Sequence, residues 1–118
     1  MEKFCYIKQN KLIFVPCYFS KKFDYNKLTE HIIKKVIYIL KKSILLDVIV
    51  DCDKLTMNNF DLVYSKTLIK FFEKQFPDML NKCIIINSPR VFQTIFNIIK
   101  NFIDKETRKK IIIYNQND

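Results

Sequence analysis

The chain has 118 residues, 49% of them hydrophobic, 14% aromatic and 28% charged, with a formal net charge of +9. That length supports one domain able to bury about two-thirds of its unfolded surface, and the ordinary apolar and charged fractions exclude intrinsic disorder. Glycine is absent, which excludes a P-loop, a dinucleotide fingerprint and a nucleophile elbow, since each needs glycine where the backbone turns tightly or approaches a phosphate.

The elements follow in chain order. Phe4 to Lys8 and Leu12 to Phe19 are rich in aromatic and β-branched residues and flank the polar break Gln9-Asn10-Lys11, which predicts a hairpin. Pro16 lies inside the second run, so that strand is expected at a sheet edge or to end early. Asp24 is placed to cap a helix running to about Lys42. Leu28, Ile32, Val36, Ile39 and Leu40 recur there at helical spacing, with Lys27, Lys34, Lys35, Lys41 and Lys42 mostly on the other side. That lysine row reads either as a solvated face or as a membrane-facing one.

Leu45 to Asp51 is a short apolar run and reads as a strand buried on both faces of a parallel sheet. The polar loop Lys54 to Asn59 leads to a helix over about Asp61 to Phe76, ended by Pro77. Its apolar stripe is Leu62, Leu68, Ile69, Phe72 and Phe76. Cys83 to Asn87 reads as a second buried strand. Ser88 as N-cap and Pro89 at the first helical position then predict a helix to about Phe102. One side of it is unusually apolar: Val91, Phe92, Ile95, Phe96, Ile99 and Phe102 among others. Asp104 to Lys109 is expected to be a polar turn, Ile111 to Tyr114 a third buried strand, and Asn115 to Asp118 a frayed tail. Strands alternating with helices across short connections predict an α/β domain with a mostly parallel sheet of about four to five strands.

The four cysteines, Cys5, Cys17, Cys52 and Cys83, are scattered without a C-x-x-C pair, which reads as reduced, buried thiols in a cytosolic protein rather than a zinc site. Neither a signal peptide nor a run long enough to span a bilayer is visible, so a soluble, intracellular protein is expected. Arginine occurs only at Arg90 and Arg108, and sequence-specific nucleic-acid reading, an arginine task, is not expected. The preference for Ile, Lys, Asn, Phe and Tyr matches AT-rich codons, which accounts for part of the positive charge. His31, the single histidine, lies mid-helix and is expected to be structural. Asp51 and Asp53 flank Cys52 at a strand's carboxyl end, where α/β domains place ligands; the alternatives are a metal site and a turn cap. No catalytic constellation, metal site or cofactor is expected.

From Leu45 onward the sequence resembles the CRAL-TRIO lipid-binding domain. The residues that carry this are VIVDCDKLTMNNFD and FFEKQFPDMLNKCIIINSPRVFQTIFNIIKNFIDKETRKKI. The family's ordered motifs have counterparts in Asp51, Phe76-Pro77-Asp78, Asn87-Ser88-Pro89, Lys100-Asn101-Phe102-Ile103, Thr107 and Lys110-Ile111, with Leu12-Ile13-Phe14-Val15 at the first sheet strand. The resemblance implies a sheet floor and an apolar pocket covered by a mobile gate helix over about Pro89–Ile103, lined by Val91, Phe92, Ile95, Phe96, Ile99 and Phe102. It implies that Thr107, Lys110 and Asp78 meet a ligand's head group. Met79 stands where phosphoinositide-binding members carry an arginine, whose loss removes a bidentate phosphate contact.

The family's usual N-terminal helical subdomain and C-terminal extension have no counterpart, so the chain is expected to be one minimal domain. The expected function is non-enzymatic binding of a phospholipid or other small hydrophobic ligand by a cytoplasmic, membrane-peripheral protein, for lipid transfer or membrane sensing. Lys100, Lys105, Arg108 and Lys109 are then the expected contacts to an anionic membrane surface. The alternative is a protein-interaction module on the same fold without a cavity, with a protein partner or a second copy covering its exposed apolar surface.

Overall fold

The structure, a computed structural model, describes residues 2–18 and 24–114. The N-terminal hairpin forms as its sequence predicts: β1 (Cys5–Lys8) and β2 (Lys11–Phe14) pair antiparallel around a turn at Gln9 and Asn10, both at positive φ. The second strand stops at Phe14, short of the expected Phe19, which lies outside the described residues. Pro16 cannot donate to a ladder, and Pro16–Tyr18 forms a 3-10 turn instead.

α1 (Tyr25–Leu40) starts where the Asp24 carboxylate accepts the Asn26 and Lys27 N–H groups, at 3.0 and 3.3 Å. It buries Leu28, Ile32, Val36 and Ile39. β3 (Leu46–Asp51) follows, then α2 (Leu62–Gln75), whose N-cap Asp61 accepts the Tyr64 N–H at 2.9 Å. β4 (Leu80–Ile86) begins earlier than expected and stops before Asn87, whose φ of 53° cannot continue a strand.

α3 (Phe92–Ile99) starts well after the expected Ser88-Pro89 cap. The left-handed Asn87 redirects the chain, and the Phe92 N–H donates to Pro89 O at 2.9 Å, so this stretch is a turn and Val91 opens the helix without a side-chain cap. The last residues of the expected helix, Lys100–Phe102, tighten into a 3-10 turn. Asp104–Lys109, read as a polar turn, holds the short helix α4 (Lys105–Lys109), because Asp104 accepts the Thr107 N–H at 2.7 Å. β5 (Ile111–Ile113) completes the sheet.

The five strands lie in sequence order, and all pairs but β1–β2 are parallel. Each parallel crossover steps the same way along the sheet, so crossovers of one hand collect the helices on one face. Register assigns that face to Leu12, Phe14, Val48, Val50, Cys83 and Ile85. One apolar cluster joins α1 and α2 to Cys5, Leu12 and Leu46; a second joins α3 to Cys52, Leu55 and Ile85.

This arrangement corrects the expectation of strands buried on both faces. Ile49, Ile84 and Ile86, on the face away from the helices, are only half-buried. β5 is an edge strand, and Ile112, Ile113 and Tyr114 are 50%, 43% and 55% exposed. The tail after Tyr114 lies outside the described residues.

Candidate functional site

Between the helix-covered face of the sheet and the helices α2 and α3 lies a cavity of about 350 Å³. Its floor comes from alternate residues of neighbouring strands, Leu12 and Phe14 on β2, Val48 and Val50 on β3, Cys83 and Ile85 on β4. The period of two along a strand turns these side chains the same way. Leu68, Ile69, Phe72 and Phe76 form the α2 wall. Phe92, Ile95, Phe96 and Ile99, one side of α3, form the roof with Ile103.

Four of the six expected gate-helix residues, Phe92, Ile95, Phe96 and Ile99, therefore come together over one space. The other two do not line it. Val91 packs against the Phe92–Ile95 cluster, and Phe102 lies under Lys66, whose Nζ is 4.5 Å from the ring centre. The resemblance implies a sheet floor without naming its residues and gives no α2 wall, because the apolar periodicity of both is the same whether the element across from them touches or stands off.

Thr107, Lys110 and Asp78, the residues expected to meet a head group, are all in the lining, and so are the carboxyl groups of Glu73, Asp104 and Glu106. Glu73 and Asp104 are hydrogen-bonded, which puts the end of α2 beside the α4 segment that carries Glu106, Thr107 and Lys110. Glu73 sits on α2 with its Oε2 accepting the Asp104 N–H at 2.8 Å and its Oε1 3.7 Å from Lys70 Nζ. Burial raises its carboxyl above the usual range, while the Thr107 amide lowers that of Asp104. Glu106 pairs with Lys109 at 3.2 Å. Lys105, Arg108 and Lys109 are exposed on α4, and Lys100 is partly buried at the end of α3; none of the four lines the cavity.

Cys52 and Cys83 also line the cavity, and burial pushes both thiols up to about 12, which makes them apolar lining rather than nucleophiles. Asp51 accepts the Asp53 N–H at 3.1 Å and the Asn87 amide at 3.0 Å, so it fastens the loop after β3 to the turn before α3. His31 Nε2 lies 3.0 Å from Cys5 O and 3.4 Å from a Glu2 oxygen, tying α1 to the N-terminal segment. Among the described residues, no helix is long and apolar enough to cross a membrane.

Comparison with known proteins bears on the family and the fold. The chain is 41% identical over 49 residues to the phosphatidylinositol transfer protein SFH5 of Saccharomyces cerevisiae, covering 42% of this chain and 17% of that protein. It is 33% identical over 86 residues to the CRAL-TRIO domain-containing protein C3H8.02 of Schizosaccharomyces pombe, covering 72% of this chain and 19% of that one. The chain thus spans less than a fifth of either relative. The crystal structure of Sfh5 superposes with a TM-score of 0.76 at 23% identity, over 86% of this chain and 42% of that one, and so shares the fold. Residues 8–118 match the CRAL/TRIO domain, and the chain belongs to the CRAL/TRIO family.

Proposed function

We propose that this chain binds a phospholipid or another small hydrophobic molecule in the cavity between the sheet and α2–α3, taking it up at a membrane surface without catalysing a reaction. The observation that carries the reading is the cavity itself, apolar on floor, wall and roof and about 350 Å³ in volume. That lies at the low end of the roughly 300–1,000 Å³ of small-molecule sites. The family, and a relative named as a phosphatidylinositol transfer protein, support the ligand class. In this reading Thr107, Lys110 and Asp78 meet the ligand's polar end, and the protein works in the cytoplasm, peripheral to membranes. Carboxylates outnumber cations in the lining and Met79 supplies no charge, so a neutral or zwitterionic head is favoured over a phosphoinositide.

Native mass spectrometry of the protein incubated with phosphatidylcholine vesicles tests this. A mass increment of one lipid is expected, and Cys83→Phe, which fills the floor, should abolish it while the circular dichroism spectrum is kept. A clean unliganded mass for the unaltered protein, from extracts and from vesicles alike, would sink the proposal. A second reading, contact with a protein partner or second copy, draws on the exposed Ile112, Ile113 and Tyr114 at the β5 edge. Sedimentation velocity tests self-association: a single species at monomer mass up to high concentration counts against it.

A further inference from the structure

The roof of the cavity, from Arg90 to Ile103, is held differently at its two ends. Before it, the Asn87 side chain donates to Asp51 Oδ1 at 3.0 Å, and Asn87 itself takes a left-handed backbone, φ 53°. Along the roof the polar side chains bond locally: Gln93 Nε2 donates to Asn97 Oδ1 at 3.1 Å and Asn101 Nδ2 to Asn97 O at 3.3 Å. The underside, with Phe92 and Ile95 buried, rests on apolar contact, which is non-directional and incomplete over a cavity.

At the far end α2 makes two directional contacts. Glu73, whose side chain is only 16% exposed, accepts the Asp104 N–H at 2.8 Å. Lys66, two turns earlier on α2, holds its ammonium over Phe102 at 4.5 Å. The Glu73 contact completes a motif that the local sequence leaves half made. In a capping box the N-cap side chain bonds the N3 amide and an N3 Glu or Gln returns to the N-cap amide. Here Asp104 bonds the Thr107 amide, but Thr107 is no Glu or Gln, and the returning carboxylate comes from Glu73 on another helix.

We infer that Glu73 is a latch: a positioning residue that fixes the Asp104 end of the roof to α2 and sets how fast a molecule enters and leaves the cavity. This rests on the cavity being the binding site and the roof being its gate, and it adds the residue that holds that gate. Lys66 on Phe102 is the weaker second tie.

The test compares Glu73→Ala with Glu73→Gln, whose amide oxygen can still accept the Asp104 N–H. Two readouts are used: hydrogen exchange of the ligand-free protein, and stopped-flow fluorescence of cis-parinaric acid entering and leaving. Glu73→Ala should speed exchange over residues 92–104 with β3 and β4 unchanged. It should also accelerate uptake and release of the probe by about tenfold each, as loss of a hydrogen bond implies, so that Kd moves far less than either rate. Glu73→Gln should stay close to the unaltered protein, and Lys66→Ala should change both readouts in the same sense by less. Unchanged exchange over residues 92–104 in Glu73→Ala would overturn the latch. So would faster exchange spread through β3 and β4, or equal rate changes in the Ala and Gln variants. If Glu73→Ala does not fold, Glu73→Leu, which keeps the bulk and removes the acceptor, decides by whether exchange over residues 92–104 rises. Because exchange is read without ligand, a failure of the unaltered protein to bind the probe would defeat the cavity reading and leave the latch to be decided by exchange alone.

Discussion

A chain without glycine still has to turn, and it does so at a steric cost. Gln9, Asn10, Lys54, Asp78 and Asn87 all adopt positive φ, between 52° and 63°. Asn and Asp tolerate this region because their short polar side chains bond locally; Gln and Lys gain little there. The two-residue turn between β1 and β2 needs positive φ at both positions, and Gln9 fills the first. Gln9→Asn should therefore stabilise the fold by about 0.5–1 kcal/mol, and Gln9→Val, β-branched, should destabilise it by at least as much. Thermal unfolding would register the first as a rise of a few degrees; a fall for both variants would mean that Gln9 makes a contact worth more than its strain. The hairpin was legible from Gln9-Asn10-Lys11 because polar breaks between β-rich runs are local signals. Asn87 shows the opposite case. Ser88-Pro89 is locally a good helix start, yet the left-handed residue before it, held by Asp51 from another strand, delays the helix to Phe92.

At the level of elements, two aspartates do unequal work. Among the described residues, Asp24 caps α1 and makes no further side-chain hydrogen bond, whereas Asp61 caps α2 and also accepts the Tyr25 hydroxyl from the start of α1. Tyr25 in turn stacks on Tyr64, ring centres 4.4 Å apart, and Thr29 Oγ1 lies 2.9 Å from the Tyr64 hydroxyl, so this cluster fixes α1 against α2. Asp24→Ala should cost about 1 kcal/mol and Asp61→Ala about twice that, in urea unfolding; equal losses would mean the tyrosine contact adds nothing. The same pair has a pH signature. Unfolded, Tyr25 ionises near pH 10, but hydrogen bonding to the Asp61 carboxylate holds it up to about 12 in the fold. A raised folded value means that this stability is fully present below pH 10 and is lost as pH climbs from 10 through about 12. The difference in melting temperature between the unaltered protein and Tyr25→Phe should narrow from pH 8 to pH 11.5, and a constant gap would show that the hydroxyl is not coupled to Asp61. Asp24 stands in the sequence directly before an apolar periodic run, which is why its cap was legible, whereas Asp61 was legible only as the start of its helix. Asp104 caps a helix of only five residues, too short to show a period, and was read as a turn.

Across the whole molecule, the alternation of strands and helices specified a mostly parallel α/β sheet. The one-sided covering and the exposed β5 edge were not specified, since they depend on strand order. The cavity was legible only through the family resemblance, which the apolar surplus of α3 suits; composition alone does not distinguish α3 from a plain core helix. Its floor depends on register, and Glu73 depends on a contact to Asp104 from a distant part of the chain. The positive charge is likewise distributed by the fold. Lys34, Lys41 and Lys42 are exposed on or just after α1, which packs over β1 and β2, while Lys105, Arg108 and Lys109 are exposed on α4 before β5, at the other end of the sheet. Only the second group lies on the segment from which Glu106, Thr107 and Lys110 line the cavity. A basic residue near an anionic leaflet contributes about 1 kcal/mol, screened over a Debye length of roughly 8–10 Å. If ligand is exchanged at that end, Lys105→Glu with Lys109→Glu should weaken co-sedimentation with phosphatidylserine vesicles at least tenfold. Lys34→Glu with Lys41→Glu changes net charge by the same amount far from the cavity and should weaken it much less. Both effects should shrink as salt is raised from 50 to 300 mM. Equal losses in the two double variants would mean that net charge acts without regard to place, and α4 would then have no claim as the membrane-facing side.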